Sequence, residues 1–142
     1  MTDDVLAALQ TTELFRDLPA KRVRMIREAG RELQYPAGSE LVVEGGEAGR
    51  FFLVLDGTVE VTVRGKKRAT LGTGGAVGEL ALIDGGPRTA TVTASTDVRT
   101  FSLASWNFRP FLSEPDVMHA VIGVLCRRLR EAEAGWAESM TD

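Results

Sequence analysis

Chemistry in this chain is concentrated between Gly78 and Val92, where a glycine, a carboxylate, a short apolar run, a glycine-rich reversal and an arginine follow one another before a strand begins. Gly78 has no Cβ, so the backbone there can approach a ligand closely. Glu79 to Ile83 is too short for an independent helix but long enough for one helical turn. The first N–H groups of such a turn have no partner within it and favour an anion. Gly85-Gly86-Pro87 predicts a tight reversal, which returns the Arg88 guanidinium towards the same amides. Arginine presents a planar fork that donates two parallel hydrogen bonds to a phosphate. An ionised Glu79 only accepts, so it calls for hydroxyl or guanidinium donors. One phosphate oxyanion and one sugar hydroxyl satisfy the set.

The elements that must position these residues read as mainly β. Leu33-Gln34-Tyr35 and Leu41-Val42-Val43 are expected as short strands separated by Pro36-Ala37-Gly38. Gly45-Gly46-Glu47-Ala48-Gly49 predicts a turn, and Phe51 to Leu55 is a continuous apolar run expected to lie deep. Asp56-Gly57 predicts a hairpin between hydrophobic runs. Val59, Val61 and Val63 then alternate with Thr58, Glu60 and Thr62, as in a half-buried strand. The charged run Arg64 to Arg68 predicts an exposed hairpin tip, after which Ala69-Thr70-Leu71 leads towards Gly78. Ala90 to Ala94 and Val98 to Leu103 supply further strands. Closely spaced short strands broken by glycine and proline predict a sandwich or jelly-roll barrel.

Helices are expected at both ends. Asp3 to Leu9 places Val5, Leu6 and Leu9 on one face. Ala20 to Ala29 turns Val23, Ile26 and Met25 inward and stops at Gly30. Its basic residues Lys21, Arg22, Arg24 and Arg27 read as a solvated face. Ser105 to Leu112 is a short apolar segment interrupted by Pro110. Ser113-Glu114-Pro115-Asp116 then fits a capping box with the serine at the cap. In the helix that follows, Met118, Ile122, Leu125, Leu129, Ala132 and Trp136 alternate at spacings of four and three, a seam of the kind that pairs helices. Val117, Val121 and Val124 widen the stripe so that the helix can also cover the β core. Two apolar duties on one helix predict a homodimer about this segment, with a monomer whose helix simply packs down as the alternative, while Gly135 weakens its last turn.

Length and composition bound the function. The 142 residues suit one domain, with a helical segment over 1–30, a β region over 31–103 containing the 78–92 stretch, and helices over 104–139. Lys plus Arg number 17 against 20 Asp plus Glu, for a net charge of −3, without the basic excess of a nucleic-acid binder. No apolar run approaches the ~18 residues of a membrane span. Met1-Thr2-Asp3-Asp4 is acidic where a secretory signal is basic, so a cytoplasmic address is expected. A lone Cys126 allows no internal disulfide and reads as a buried helical thiol. Gly72-Thr73-Gly74-Gly75 lacks the βαβ frame of a dinucleotide loop, and Gly65-Lys66 lacks the rest of a P-loop. The single histidine, His119, has no cluster around it, and no serine has a base. No catalytic set, metal or cofactor is therefore expected, and the chain reads as a binding module, not an enzyme.

Gly78-Glu79-Leu80-Ala81-Leu82, followed by Pro87-Arg88-Thr89-Ala90-Thr91-Val92, closely resembles the phosphate-binding cassette of cyclic nucleotide-binding domains. Such domains are found in bacterial catabolite-activator proteins and in protein kinase A regulatory subunits. The resemblance covers nearly the whole chain. It implies a jelly-roll-like β-roll, a double-stranded β-helix, with N-terminal helices and two C-terminal helices. It implies that Arg88 holds the cyclic phosphate and Glu79 the ribose 2′-hydroxyl, with Gly78 and the amides near Leu80, Ala81, Thr89 and Ala90 completing the cradle. It also implies a coupled swing, in which Leu82 moves against Phe108, Phe111 or Leu112 and repositions the final helix. The base would be covered from that helix, with Arg127, Arg128, Arg130 and Trp136 as lid candidates able to stack on a purine. The alternative reading of Arg128 is as the partner of Glu79, keeping that carboxylate ionised.

The chain also departs from its relatives. In the catabolite-activator proteins the long helix reads adenine through a Thr-Ser pair, and the matching positions here are Ala132 and Glu133. Val77 stands where many members have phenylalanine. Thr89 is a hydroxyl residue of the type common in cGMP binders, yet many members with threonine there take cAMP. The expected ligand is cAMP, with cGMP the alternative. No helix-turn-helix follows the final helix, and the ending after Trp136 is polar. The expectation is a stand-alone cytosolic cyclic nucleotide sensor that acts on a downstream protein partner, with no direct DNA binding and no membrane. The alternatives are the sensor half of a transcription regulator, and an interaction protein whose nucleotide site is vestigial.

Overall fold

The computed structural model describes residues 3–46, 49–84 and 88–140, with only the backbone described at Leu80 and 137–140. The reversal expected at Gly85-Gly86-Pro87, and Glu47-Ala48 of the expected turn before Phe51, lie outside the described residues. The described strands are β1 (Arg31–Tyr35), β2 (Glu40–Val42), β3 (Arg50–Asp56), β4 (Val59–Val63), β5 (Lys66–Leu71), β6 (Ala76–Val77), β7 (Thr91–Ala94) and β8 (Val98–Ala104). They form two antiparallel sheets, in the orders β1-β8-β3-β6 and β2-β7-β4-β5. Around them lie α1 (Asp4–Thr11), α2 (Ala20–Ala29), α3 (Glu79–Asp84), α4 (Ser105–Phe108), a 3-10 turn over Arg109–Ser113, and α5 (Pro115–Met140). This is the expected β-roll with flanking helices.

The apolar run on β3 explains the layering. Successive side chains on a strand point to opposite faces. Phe51, Leu53 and Leu55 therefore join Phe101 and Leu103 of β8 against the helices, with Leu9, Phe15, Ile26 and Phe108. Phe52 and Val54 point into the roll, among Val42, Val59, Val92 and Val98. A strand covered on both sides has no solvated face, hence the continuous run in place of alternation. On α5 the stripe Val117, Val121 and Val124 is buried against the helical side of this core. The seam residues Met118, Ile122, Leu129 and Trp136 are exposed. One face of α5 thus closes the fold and another is left on the surface.

Several local expectations are corrected. Asp56-Gly57 joins β3 to β4, which belong to different sheets, so it is a corner and not a hairpin. Its glycine has φ +97, and a Cβ there would lie 2.3 Å from the Asp97 carbonyl oxygen. The left-handed turn was foreshadowed by the dipeptide, but β4 pairs with β5 on one side and on the other with β7, supplied from far along the chain, and not with β3. The charged run is only partly a tip. Arg64 and Gly65 make the turn at φ 53 and 77, while Lys66, Lys67 and Arg68 belong to β5, an exposed edge strand. Lysines there discourage pairing with another sheet edge. Val43 leaves β2 and is exposed.

Helical details differ as well. Met25 is exposed beside Arg22 rather than turned inward. The residue preceding α5 is Glu114, not Ser113, and Pro115 takes the first helical position. Arg22 pairs with both Glu114 and Asp116 at 3.0 Å, so those carboxylates tie α2 to the start of α5. Arg27 pairs with Asp3 and Glu32, which makes half of the supposedly solvated basic face structural. Cys126 is exposed. Two residues beyond the buried Val124 an α-helix has turned about 200°, which points the thiol away from the core. Among the described residues no helix is long and apolar enough to cross a membrane.

Candidate functional site

The backbone turns sharply where β6 ends. Gly78 adopts φ +84, and a Cβ added there would lie 2.4 Å from Arg88 Nη1 and 2.7 Å from the Arg50 carbonyl oxygen. Only glycine leaves that space, so the guanidinium of Arg88 can fold against the chain. Its Nη2 donates to the Arg50 carbonyl. Arg88 is 9% exposed, and burial, the one cause acting on its pKa, pushes it down. The single helical turn expected after Gly78 is α3, whose Leu82 N–H bonds back to the Gly78 carbonyl at 3.3 Å.

Glu79 opens α3. Its carboxylate is nearly buried, with side-chain exposure of 15%, and Oε1 lies 3.0 Å from Arg128 Nη2 on α5. Its other oxygen, Oε2, is buried without a hydrogen-bond partner. Arg128 also reaches Glu13, at 3.6 Å, in the turn between α1 and α2. Burial alone would lower the Arg128 pKa, but the Glu79 and Glu13 carboxylates outweigh it and raise it. Glu79 and Arg128 are thus the pair that the sequence offered as one of two readings for that arginine.

These groups face one cavity of about 430 Å³. Gly78, Glu79, Ala81 and Asp84 border it from the α3 turn, and Arg88, Thr89 and Ala90 from the segment leading into β7. Val42, Val61, Val77 and Val92 form an apolar wall, and Arg128 approaches from α5. One end is charged and the other apolar, which fits a small anion carrying a hydroxyl and a less polar body. The wall explains the half-burial along β4: Val61 packs against the edge of the roll's apolar cluster and also faces the cavity. Sequence reasoning did not assign Val42, Val61, Asp84 or Val92 to the site. The alternation on β4 signalled an inward-facing Val61, but nothing local shows that the interior holds an open space.

Of the lid candidates the structure brings only Arg128 to the cavity. Arg127 turns to Asp17 at 3.3 Å, and Arg130 and Trp136 are exposed and do not line the cavity. Consecutive residues diverge by about 100° on a helix, and Trp136 is about 12 Å further along the axis than Arg128. The four hinge candidates do converge. Leu82 and Phe108 are fully buried in one cluster, with Phe111 and Leu112 packed against it. The Phe108 ring lies 6.1 Å from that of Phe111 and 6.0 Å from that of Phe15. His119 is exposed. Among the described residues no group of His, Cys, Asp and Glu is arranged to hold a metal ion.

Comparison with known proteins gives the domain family. The family model of the cyclic nucleotide-binding domain matches residues 32–114. The cAMP-dependent protein kinase regulatory subunit of Debaryomyces hansenii is 34% identical over 103 residues, which are 71% of this chain and 23% of that protein. The chain therefore spans less than a quarter of that relative. The N-terminal domain of a transcriptional regulator from Streptomyces coelicolor superposes with a TM-score of 0.80 at 32% identity, covering 88% of this chain and 94% of the other. The regulatory domain of Toxoplasma gondii PKA, crystallised with cAMP, gives 0.70 at 27% identity, over 78% and 46%.

Proposed function

This chain belongs to the cyclic nucleotide-binding domain family, a regulatory and not a catalytic family, and from that premise we propose that it senses cAMP and signals by repositioning α5. The observation that carries the reading is the orphaned Glu79 Oε2, buried in the same cavity as the Arg88 guanidinium. A buried acceptor without a donor costs ~1–3 kcal/mol. A ribose 2′-hydroxyl supplies the missing donor, and a cyclic phosphate gives Arg88 the anion that offsets its burial. The backbone amides at Leu80, Ala81, Thr89 and Ala90 are then the further donors to phosphate. Val42, Val61, Val77 and Val92 line the wall against which the less polar part of the ligand rests.

Signalling follows from where Leu82 sits. A phosphate that draws α3 inward moves Leu82 against Phe108, and the chain from Phe108 runs through the 3-10 turn directly into α5. Ligand shifts this equilibrium only by its differential affinity for the two arrangements. Arg128 adds a direct link, because the carboxylate that meets the ribose also holds α5. The preference for cAMP over cGMP draws support from the cAMP-dependent kinase relatives and not from a base contact. The exposed stripe Met118, Ile122, Leu129 and Trp136 favours a second element of the proposal, homodimerisation along α5.

Calorimetric titration with cAMP and cGMP tests the reading, after any copurified nucleotide has been stripped by partial unfolding. Saturable binding with cAMP the tighter ligand supports it. Tighter cGMP binding reverses the base preference, and failure of both nucleotides on folded protein makes the site vestigial and leaves the α5 seam as the functional surface.

A further inference from the structure

Beside the Glu79 cavity, on the other side of Val42 and Arg88, Arg50 and Trp106 form a ridge between two smaller cavities. The first, about 390 Å³, is bordered by Leu41, Val43, Arg50, Arg88 and Trp106; the second, about 140 Å³, by Arg31, Arg50, Trp106 and Asn107. The Arg50 guanidinium lies 5.9 Å from the centre of the Trp106 ring and 3.4 Å from Ser102 Oγ. Trp106 is 62% exposed and Val43 52%. A single arginine resting on an exposed indole is ordinary surface packing. Here, however, Arg31, Arg50 and Arg88 border the two cavities, and among the described residues neither lining contains a carboxylate. That is a local inversion in a chain whose net charge is −3.

We propose that this ridge is a docking surface for a partner-protein segment in which carboxylates flank an apolar side chain. Charge complementarity selects the carboxylates, because an acidic segment is attracted to a face where arginines border both cavities and no carboxylate is among the described lining residues. The apolar borders Leu41, Val43 and Trp106 select the side chain between them. Tryptophan and arginine together are also the residue types that most often carry binding energy at interfaces. A nucleic acid fits less well, since the molecule as a whole repels a polyanion and the larger cavity is lined chiefly by apolar side chains. The position matters: the Ser105 N–H donates to the Gly49 carbonyl at 2.7 Å, fastening the start of α4 to the same edge. A partner docked here touches the segment that leads into α5.

The test is an NMR titration of isotope-labelled protein with a short capped peptide alternating glutamate and leucine, and with its glutamine counterpart. The glutamate peptide is expected to shift the Trp106 indole and the Gly49 and Arg50 backbone signals saturably. The glutamine peptide is expected to bind about tenfold or more weakly, as loss of a charged hydrogen bond implies. Arg50→Gln keeps the backbone carbonyl that Arg88 uses, and Trp106→Ala removes an exposed ring, so both variants should fold and both should weaken binding by a similar factor. Lys67→Gln, on β5, should leave it unchanged. Equal affinity for the two peptides, shifts confined to other surfaces, no saturable shift, or tighter binding of a single-stranded oligonucleotide at the same signals would each overturn the proposal.

Discussion

Replacing Arg88 with methionine separates a ligand-binding role from a structural one. In the free protein the guanidinium is 9% exposed, its one described hydrogen bond goes to the Arg50 carbonyl, and burial alone acts on its pKa. Methionine fills the same slot with an unbranched apolar chain, so the cost of burying a charge disappears. Against that, the Arg50 carbonyl loses a donor, a penalty of ~1–3 kcal/mol. The two effects oppose each other, and the free protein should change by no more than about 1–2 kcal/mol, a shift of a few degrees in Tm for a domain of this size. The bound state behaves differently. Removing one partner of a buried, hydrogen-bonded charge pair costs ~2–5 kcal/mol, or roughly 30- to 4000-fold in affinity. Ligand at a hundred times its Kd stabilises the native state by ~2.7 kcal/mol, and the variant should lose nearly all of that thermal shift. Thermal unfolding with and without cAMP, together with calorimetry, reads both quantities. A variant that loses stability as a truncated core residue does, or that keeps cAMP affinity within about threefold, refutes the reasoning.

Four further outcomes are expected. Gly78→Ala should weaken nucleotide binding sharply and destabilise by ~1–3 kcal/mol, because the residue has φ +84 and its new Cβ would displace the Arg88 guanidinium; urea unfolding and titration of the same sample read the two effects. Leu82→Ala should cost ~2–5 kcal/mol in urea unfolding, since Leu82 is fully buried beside Phe108. The hydrogen bond from Arg22 holds the Asp116 carboxyl below its ordinary 3.8, so the pair stabilises above that pH and its contribution is lost as pH falls through the lower folded value. Both side chains of that pair reach solvent, so Arg22→Gln should make stability fall only slightly less steeply below pH 3.8. Leu129→Glu, on the exposed seam, should leave the fold intact and convert an α5-mediated dimer to monomer by sedimentation; an unchanged molecular mass would place any self-association elsewhere.

The parts of the site legible in the sequence are those whose partners are neighbours along the chain. Gly78, Glu79 and the α3 turn are contiguous, and Arg88 follows within one reversal, so residue types and spacing sufficed. Helix α2 runs from Ala20 to Ala29 as expected, because its periodicity and the Gly30 stop are both local. The valine stripe of α5 was readable for the same reason. Asp56-Gly57 shows the opposite case: a left-handed turn is local, but whether it closes a hairpin or turns a corner depends on which strand lies beside β4. Cys126 shows another, since hydrophobicity of a residue type does not say which side of a helix meets the roll. Arg127 and Arg128 are adjacent and chemically identical, yet one turns to Asp17 and the other to Glu79.

By itself the sequence determined the chemistry on offer: a glycine that admits close approach, a carboxylate that only accepts, an arginine suited to phosphate, and an α5 helix apolar on more than one face. Only the tertiary structure decided that these meet in one cavity, that valines from β2, β4, β6 and β7 wall it, that Arg128 alone of the lid candidates reaches it, and that one Glu79 oxygen is left buried without a donor. The physical reason is range. Turn geometry and helix periodicity are fixed by bonds and sterics over a few residues. Cavities and ion pairs arise where segments distant in sequence are brought together by burial of apolar surface, which is non-directional and names no partner in advance.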